Sequence, residues 1–167
     1  MYLLRSTTVV LVFLFFAGMA DASDLGGLGE AGKRMSQQAS DTAMDQFTKQ
    51  LKKAQNEKGP IRFKKGKADV DPACDPTMKY IAKILKDSPG FHVQVDGHTD
   101  NVGNPESNRK LSQNRAEAVV KYLVEKKGVD AKQLSAKGFG DSQTIADNKT
   151  QRGRAMNRRV DFTVTKI

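Results

Sequence analysis

From Pro60 to Ile167 the chain is cut by proline and glycine into segments whose apolar residues alternate between a period of two and a period of three to four. A chain punctuated in this way is constrained to an alternating strand–helix fold. Ile61 and Phe63 predict a short first strand. Asp71-Pro72 and Asp75-Pro76 each set an N-cap residue before a proline at the first helical position, so a helix begins there and runs to about Lys86, where Ser88-Pro89-Gly90 breaks it. Phe91, Val93 and Val95 alternate with His92, Gln94 and Asp96 as a half-buried strand. Asn104-Pro105 opens a second helix, and Gly128 closes it as the C′ residue. A third strand is predicted from Leu134 to Phe139, a short helix within the polar stretch Asn148 to Asn157, and a last strand through Val160, Phe162 and Val164. The order β-α-β-α-β-β predicts an α/β sandwich over residues 59–167, a mixed sheet with helices on one face.

Two segments precede this domain. Residues 1–22 have the form of a secretory signal peptide: Arg5, then an apolar run from Thr7 to Ala20, then the small-x-small site Ala20-Asp21-Ala22, with Ser23 as the first mature residue. The alternative is an uncleaved anchor, but the run is shorter than the ~20 apolar residues that span a bilayer. Residues 23–58 form a helical N-terminal segment. Leu25-Gly26-Gly27-Leu28-Gly29 is expected to be a flexible lead-in, and Met44, Phe47, Leu51 and Ala54 make a helical apolar stripe. That stripe serves either to lean on the domain or to form a short dimerising coiled coil. Gly59-Pro60 marks the boundary.

With 28 Lys and Arg against 19 Asp and Glu, the net charge is +9, which suits a polyanionic partner. Export excludes nucleic acid and leaves a membrane surface or an acidic polymer. The single cysteine, Cys74, has no partner for an internal disulfide and lies far from the leader, so it is not a lipid-acceptor residue. Its helical spacing to Met78, Ile81 and Leu85 predicts a buried core thiol.

Two positions conflict with the apolar pattern. Arg115 falls on the stripe Leu111, Ala118, Val119, Tyr122 and Leu123 of the second helix, where a guanidinium is costly unless it meets a carboxylate or a cleft. It either snorkels to the helix edge or faces Asp100, which lies in the loop at the carboxyl end of the Phe91–Val95 strand, where α/β folds bind ligands. In the last strand, parity places Arg158 on the face of residues 160, 162 and 164, with Arg159 pointing away.

Taken together, Gly97-His98-Thr99-Asp100, Asn108, Leu111-Ser112-x-x-Arg115-Ala116, Gly138-x-Gly140 and Asn148-x-x-x-x-Gly153-Arg154-x-x-Asn157-Arg158-Arg159-Val160 resemble the signature of the OmpA-like C-terminal domain. Outer-membrane proteins, the peptidoglycan-associated lipoprotein and the flagellar motor protein MotB share that domain. The resemblance covers roughly residues 60–165. It implies non-covalent binding of peptidoglycan through the meso-diaminopimelate of the stem peptide, with Asp100 receiving the ammonium and Arg115 the carboxylate. Thr99, Asn108 and Arg158 would line the pocket. It implies no enzyme activity, cofactor or metal, and a place in the periplasm in contact with the outer membrane and cell wall. Lys64-Lys65-Gly66-Lys67 stands where the family often has acidic or small polar residues, and Thr144 where Pro is common.

Two other functions compete. The N-terminal helix would dock an envelope protein in a periplasmic adaptor or pair with a second copy as a homodimer. Asp96, His98 and Asp100, alternating along an extended segment, would hold a metal in a hydrolase, but no HxxxH or cysteine pair accompanies them.

Overall fold

The computed structural model describes residues 25–63 and 67–166; the signal-peptide segment and Lys64 to Gly66 lie outside the described residues. The chain divides into two compact units, Met1–Gln38 and Ala39–Ile167. The described part of the first unit is the start of α1 (Leu25–Lys58), with an exposed Arg34–Glu30 pair at 3.6 Å. The helix thus begins inside the glycine-rich stretch expected to be a flexible lead-in. Elongating an existing helix needs no new nucleus, so a glycine costing about 1 kcal/mol lowers its stability without stopping it.

In the second unit the elements run α2 (Asp75–Lys86, entered through a 3-10 turn at Pro72–Cys74), β1 (Phe91–His98), α3 (Pro105–Lys127), β2 (Leu134–Gly140), α4 (Gln151–Asn157) and β3 (Val160–Lys166). The sheet order is β2-β1-β3, with β1 parallel to β2 and antiparallel to β3. Val93 pairs with Leu134 on one side and Val164 on the other. The expected first strand is reduced to one antiparallel bridge between Phe63 and Val70. That segment is held instead by side chains, with the Arg62 N–H donating to Cys74 Sγ at 3.0 Å.

The predicted stops and starts are met by capping bonds. Asn104 Oδ1 accepts from the backbone N–H groups of Glu106 and Ser107, and Gly128 takes the left-handed conformation at φ 65°. Asp71 caps the 3-10 turn, whereas Asp75 lies inside α2 and gives its carboxylate to Lys127 and Tyr122.

One core joins all these pieces. Val93, Val95, Met78, Ile81, Leu85, Val119 and Leu123 are buried together with Phe47, Leu51 and Ala54 of α1, and Phe47 stacks on Phe91 at 4.9 Å. The stripe on α1 is therefore buried in the core of its own chain, and the second half of the helix belongs to the compact unit rather than preceding it. Gln55 Nε2 donates to the Val160 carbonyl at 2.8 Å, and Thr77 Oγ1 donates to the carbonyls of Lys58 and Gly59 where α1 ends. Cys74 is buried and free, as its spacing predicts.

The face α3 turns to the sheet differs from the apolar stripe read in its sequence. Its buried residues are Asn108, Ser112, Ala116, Val119 and Leu123. The reason lies in the facing strands: a Cβ on Gly97 would come 2.2 Å from the Ser112 carbonyl oxygen, and one on Gly138 2.3 Å from the Gln113 nitrogen. Backbone meets backbone there, so only small residues fit. Ser112 Oγ is satisfied by accepting from the Gly140 N–H at 2.8 Å and donating to the Arg109 carbonyl. Arg115 therefore sits at the edge of the core, half-buried, and not on its central stripe.

Candidate functional site

The site forms where the carboxyl end of β1 meets α3 and the turn into β3. After His98 the chain leaves the sheet; the Thr99 N–H donates to the Gly140 carbonyl at 2.8 Å, and Asn108 Nδ2 donates to the carbonyls of Asp100 and Val102. Asp100 Oδ1 accepts from the Val102 N–H at 3.2 Å. These bonds fix the loop and aim the second carboxylate oxygen, Oδ2, at Arg158, whose Nη1 donates to it at 2.7 Å.

The other wall is built by a second loop. Asn157, fully buried, accepts from the N–H groups of Ile145 and Ala146 on Oδ1 and donates through Nδ2 to the Ala146 carbonyl and Asn148 Oδ1. Gly153 lets the Asp147 carbonyl oxygen come within 1.9 Å of where a Cβ would stand. The Asn148–Asn157 part of the motif is thus a scaffold that presents the two arginines following it. Arg158 ends α4 outside the strand, so the parity argument made from β3 does not apply to it. Arg159 donates to Asp161 at 2.8 Å and to the Gln143 carbonyl.

Between these walls lies a cleft of about 550 Å³ whose lining includes Arg62, Phe63, His98, Arg115, Arg158 and Arg159. The Arg115 guanidinium lies over the Phe63 ring at 5.0 Å, and its Nε donates to the Lys67 carbonyl at 3.3 Å. The expected Arg115–Asp100 pair is not what the resting site forms: Asp100 takes Arg158, and Arg115 takes an aromatic face. Burial and the neighbouring Arg158 both pull the Arg115 pKa below the usual guanidinium value, while Asp100 opposes them. The three charges therefore feel one another even though only two are in contact.

Of the five residues expected to bind ligand, Arg115 and Arg158 line the cleft, and Asp100 joins it through its ion pair. Asn108 and Thr99 are buried beside the Asp100 loop, and Thr99 Oγ1 has no hydrogen-bond partner among the described residues. Arg159, Arg62 and Phe63 were not singled out from sequence as site residues. Arg159 stands inside the motif, but Arg62 and Phe63 reach the cleft through a tertiary approach that carries no sequence signal. His98 is buried against Phe139, with ring centroids 5.3 Å apart, and its Nε2 lies 3.5 Å from Asp161 Oδ2. Its Nδ1 has no hydrogen-bond partner among the described residues. Burial, then Arg159, lowers its pKa. The residues of the conjectured metal cluster diverge: Asp96 accepts from Thr163 and Gln94, His98 meets Asp161, and Asp100 meets Arg158. Among the described residues no group of three such ligands could hold a metal ion.

Residues 62–158 match the OmpA family, and the chain belongs to it. The outer membrane protein Omp38 of Acinetobacter baumannii is 42% identical over 105 residues, which are 63% of this chain and 30% of that protein. The peptidoglycan-binding protein ArfA of Mycobacterium tuberculosis is 40% identical over 106 residues, 64% of this chain and 32% of that protein. In structure the chain is similar to the peptidoglycan-associated lipoprotein from Burkholderia pseudomallei, with a TM-score of 0.58 and 29% identity over 67% of this chain and 99% of that one. The chain spans about a third of the length of these two curated relatives. Of these relatives one is named an outer membrane protein, one a peptidoglycan-binding protein and one a peptidoglycan-associated lipoprotein.

Proposed function

We propose that this protein binds peptidoglycan non-covalently in the periplasm, through the free end of a diaminopimelate side chain, and so tethers an envelope component to the wall without catalysing a reaction. The observation that carries this reading is one carboxylate, Asp100, ion-paired with Arg158 beside a cleft that Arg158 and Arg115 both line, and close enough to act on the charge of Arg115. A zwitterionic side-chain end carries an ammonium and a carboxylate a few Å apart. Asp100 supplies the counter-charge for the first and Arg115 a two-pronged donor for the second. The ligand ammonium takes the place of Arg158 on Asp100, leaving Arg158 free to add a second contact to the ligand carboxylate. Thr99 Oγ1, buried without a partner beside Asp100, is a further polar atom for the ligand. The name of the M. tuberculosis relative points the same way.

The test is sedimentation with isolated murein sacculi. The protein pellets with them and leaves them intact, and stem peptides containing diaminopimelate release it while amidated or lysine-containing stems do not. Binding that ignores this difference between competitors would sink the proposal.

A further inference from the structure

Two grooves of the molecule differ in the cations that line them. Around the cleft just described they are arginines: Arg62, Arg115, Arg158 and Arg159. A second groove, of about 730 Å³, is bordered by six lysines and no arginine: Lys58 at the end of α1, Lys79, Lys83 and Lys86 along α2, and Lys126 and Lys127 in the last turn of α3. Spaced by four and three, Lys79, Lys83 and Lys86 share one face of α2. The two acids among the described residues of the groove are already engaged, Asp75 by Lys127 and Tyr122, and Asp87 by Lys83. Lys58, Lys79, Lys86 and Lys126 are exposed and, among the described residues, pair with no carboxylate. Helix dipoles account for basic residues in the last turns of α2 and α3, whereas Lys79, near the middle of α2, stands one turn after Asp75 and adds to the positive field on that carboxylate without pairing with it.

We propose that this groove docks the domain on an anionic phospholipid surface. Arginine's rigid fork suits a carboxylate of fixed geometry, whereas lysine is a point charge on a flexible stem, suited to phosphates whose positions are not fixed. A surface of phosphodiester headgroups is such a partner, and a basic cluster gains attraction to it lysine by lysine. Half-buried Tyr80 lies in the same groove with Pro76 and Ala82. An amphipathic ring beside lysines suits a headgroup boundary better than a fully solvated polyanion. The groove includes the far end of α3: Lys127 lies 12 residues after Arg115, about 18 Å along the axis at 1.5 Å per residue. The proposal does not depend on what the arginine cleft binds.

The test is cosedimentation of the full chain with vesicles of phosphatidylcholine alone or mixed in equal parts with phosphatidylglycerol. Binding to the mixed vesicles and loss of that binding at high salt are expected. The triple variant K79E/K86E/K126E, altered only at exposed positions, should bind more than about a hundredfold more weakly, at roughly fivefold per lysine. The variant K49E/K110E/K149E carries the same change in net charge away from the groove and should bind like the parent. Equal losses in the two variants, or equal binding to both vesicle types, would overturn the proposal. So would capture of the chain by soluble inorganic polyphosphate through these lysines without binding to vesicles. A circular dichroism spectrum unchanged in the groove variant shows that any loss is not unfolding.

Discussion

Arg158 and Asp100, 58 residues apart in sequence, meet at 2.7 Å, while Arg115 waits over Phe63 in the same cleft. The resting site thus keeps Asp100 neutralised, and leaves the half-buried Arg115 guanidinium on an aromatic face and one carbonyl, with no carboxylate among the described residues. A ligand bearing both charges gains at both groups at once. Asp100→Ala removes the counter-charge for its ammonium. Truncating one side of a desolvated charged contact costs about 2–5 kcal/mol, or roughly 30-fold and more in affinity. Stability should fall by no more than about 1 kcal/mol, because the Arg158 side chain is 46% exposed and the pair is screened. Sacculus binding and a urea melt of the same variant separate the two effects.

Arg115→Lys is the sharper variant of its partner. It keeps the positive charge and loses the planar fork, so sacculus binding should drop nearly as far as in Arg115→Ala. If lysine restored binding, the contact would be a simple charge attraction and not a bidentate one.

Gly138 is a point of close approach between helix and strand backbones in support of the site, since β2 meets α3 there beside Ser112 and Gln113. In Gly138→Ala the new methyl carbon would stand 2.3 Å from the Gln113 nitrogen and 2.6 Å from Ser112 Oγ, and neither is the loose end of a side chain. The elements must separate, and the expected cost is about 3 kcal/mol. Gly90→Ala, with nothing within 4 Å of the added carbon, should stay within about 0.5 kcal/mol of the parent. Denaturant midpoints of the two variants decide this.

The same contact shows what was legible beforehand and what was not. Helix ends were, because Asn104, Pro105 and Gly128 act locally on their own backbone. Strand β1 was, because Val93 and Val95 repeat with its period. The core face of α3 was misread because apolar residues were counted. The face is set instead by Gly97 and Gly138, which let the α3 backbone close in at Ser112 and Gln113, and by Gly140, which meets it at Asn108 and Arg109. The identities of Asp100, Arg115 and Arg158 came from the resemblance to a family, but their resting partners did not. The choice of Arg158 over Arg115 depends on where Asn157 holds the loop before β3, a tertiary fact. Likewise Phe63 is aimed at Arg115 by a segment that forms one bridge rather than a strand.

Cys74 should resist modification in the native state. Its thiol is buried, accepts from the Arg62 N–H at 3.0 Å, and lies 3.7 Å from the Pro60 carbonyl oxygen. A thiol reagent should label the native chain only as fast as the core opens, and label it rapidly in denaturant. Cys74→Ala should cost about 1–3 kcal/mol, since it leaves the Arg62 donor without its acceptor and opens a small void.

His98 makes stability depend on pH near neutrality. Burial is the first cause of its lowered pKa and Arg159 the second, while Asp161 and Asp96 act in the opposite sense. In the unfolded chain the imidazole titrates near 6.5. Between that value and the lower folded one, the unfolded state binds a proton that the native state refuses, so stability rises with pH across the window. The contribution is fully present above about pH 6.5 and declines as pH falls toward the folded pKa, below which this group adds no further slope. His98→Gln, which cannot take up a proton, should flatten the fall in melting temperature between neutral and mildly acidic pH even if its absolute stability is lower. Nuclear magnetic resonance titration of the His98 ring checks the same point directly. A His98 midpoint above 6.5 would mean that Asp161, 3.5 Å from Nε2, outweighs burial, and the slope would then change sign.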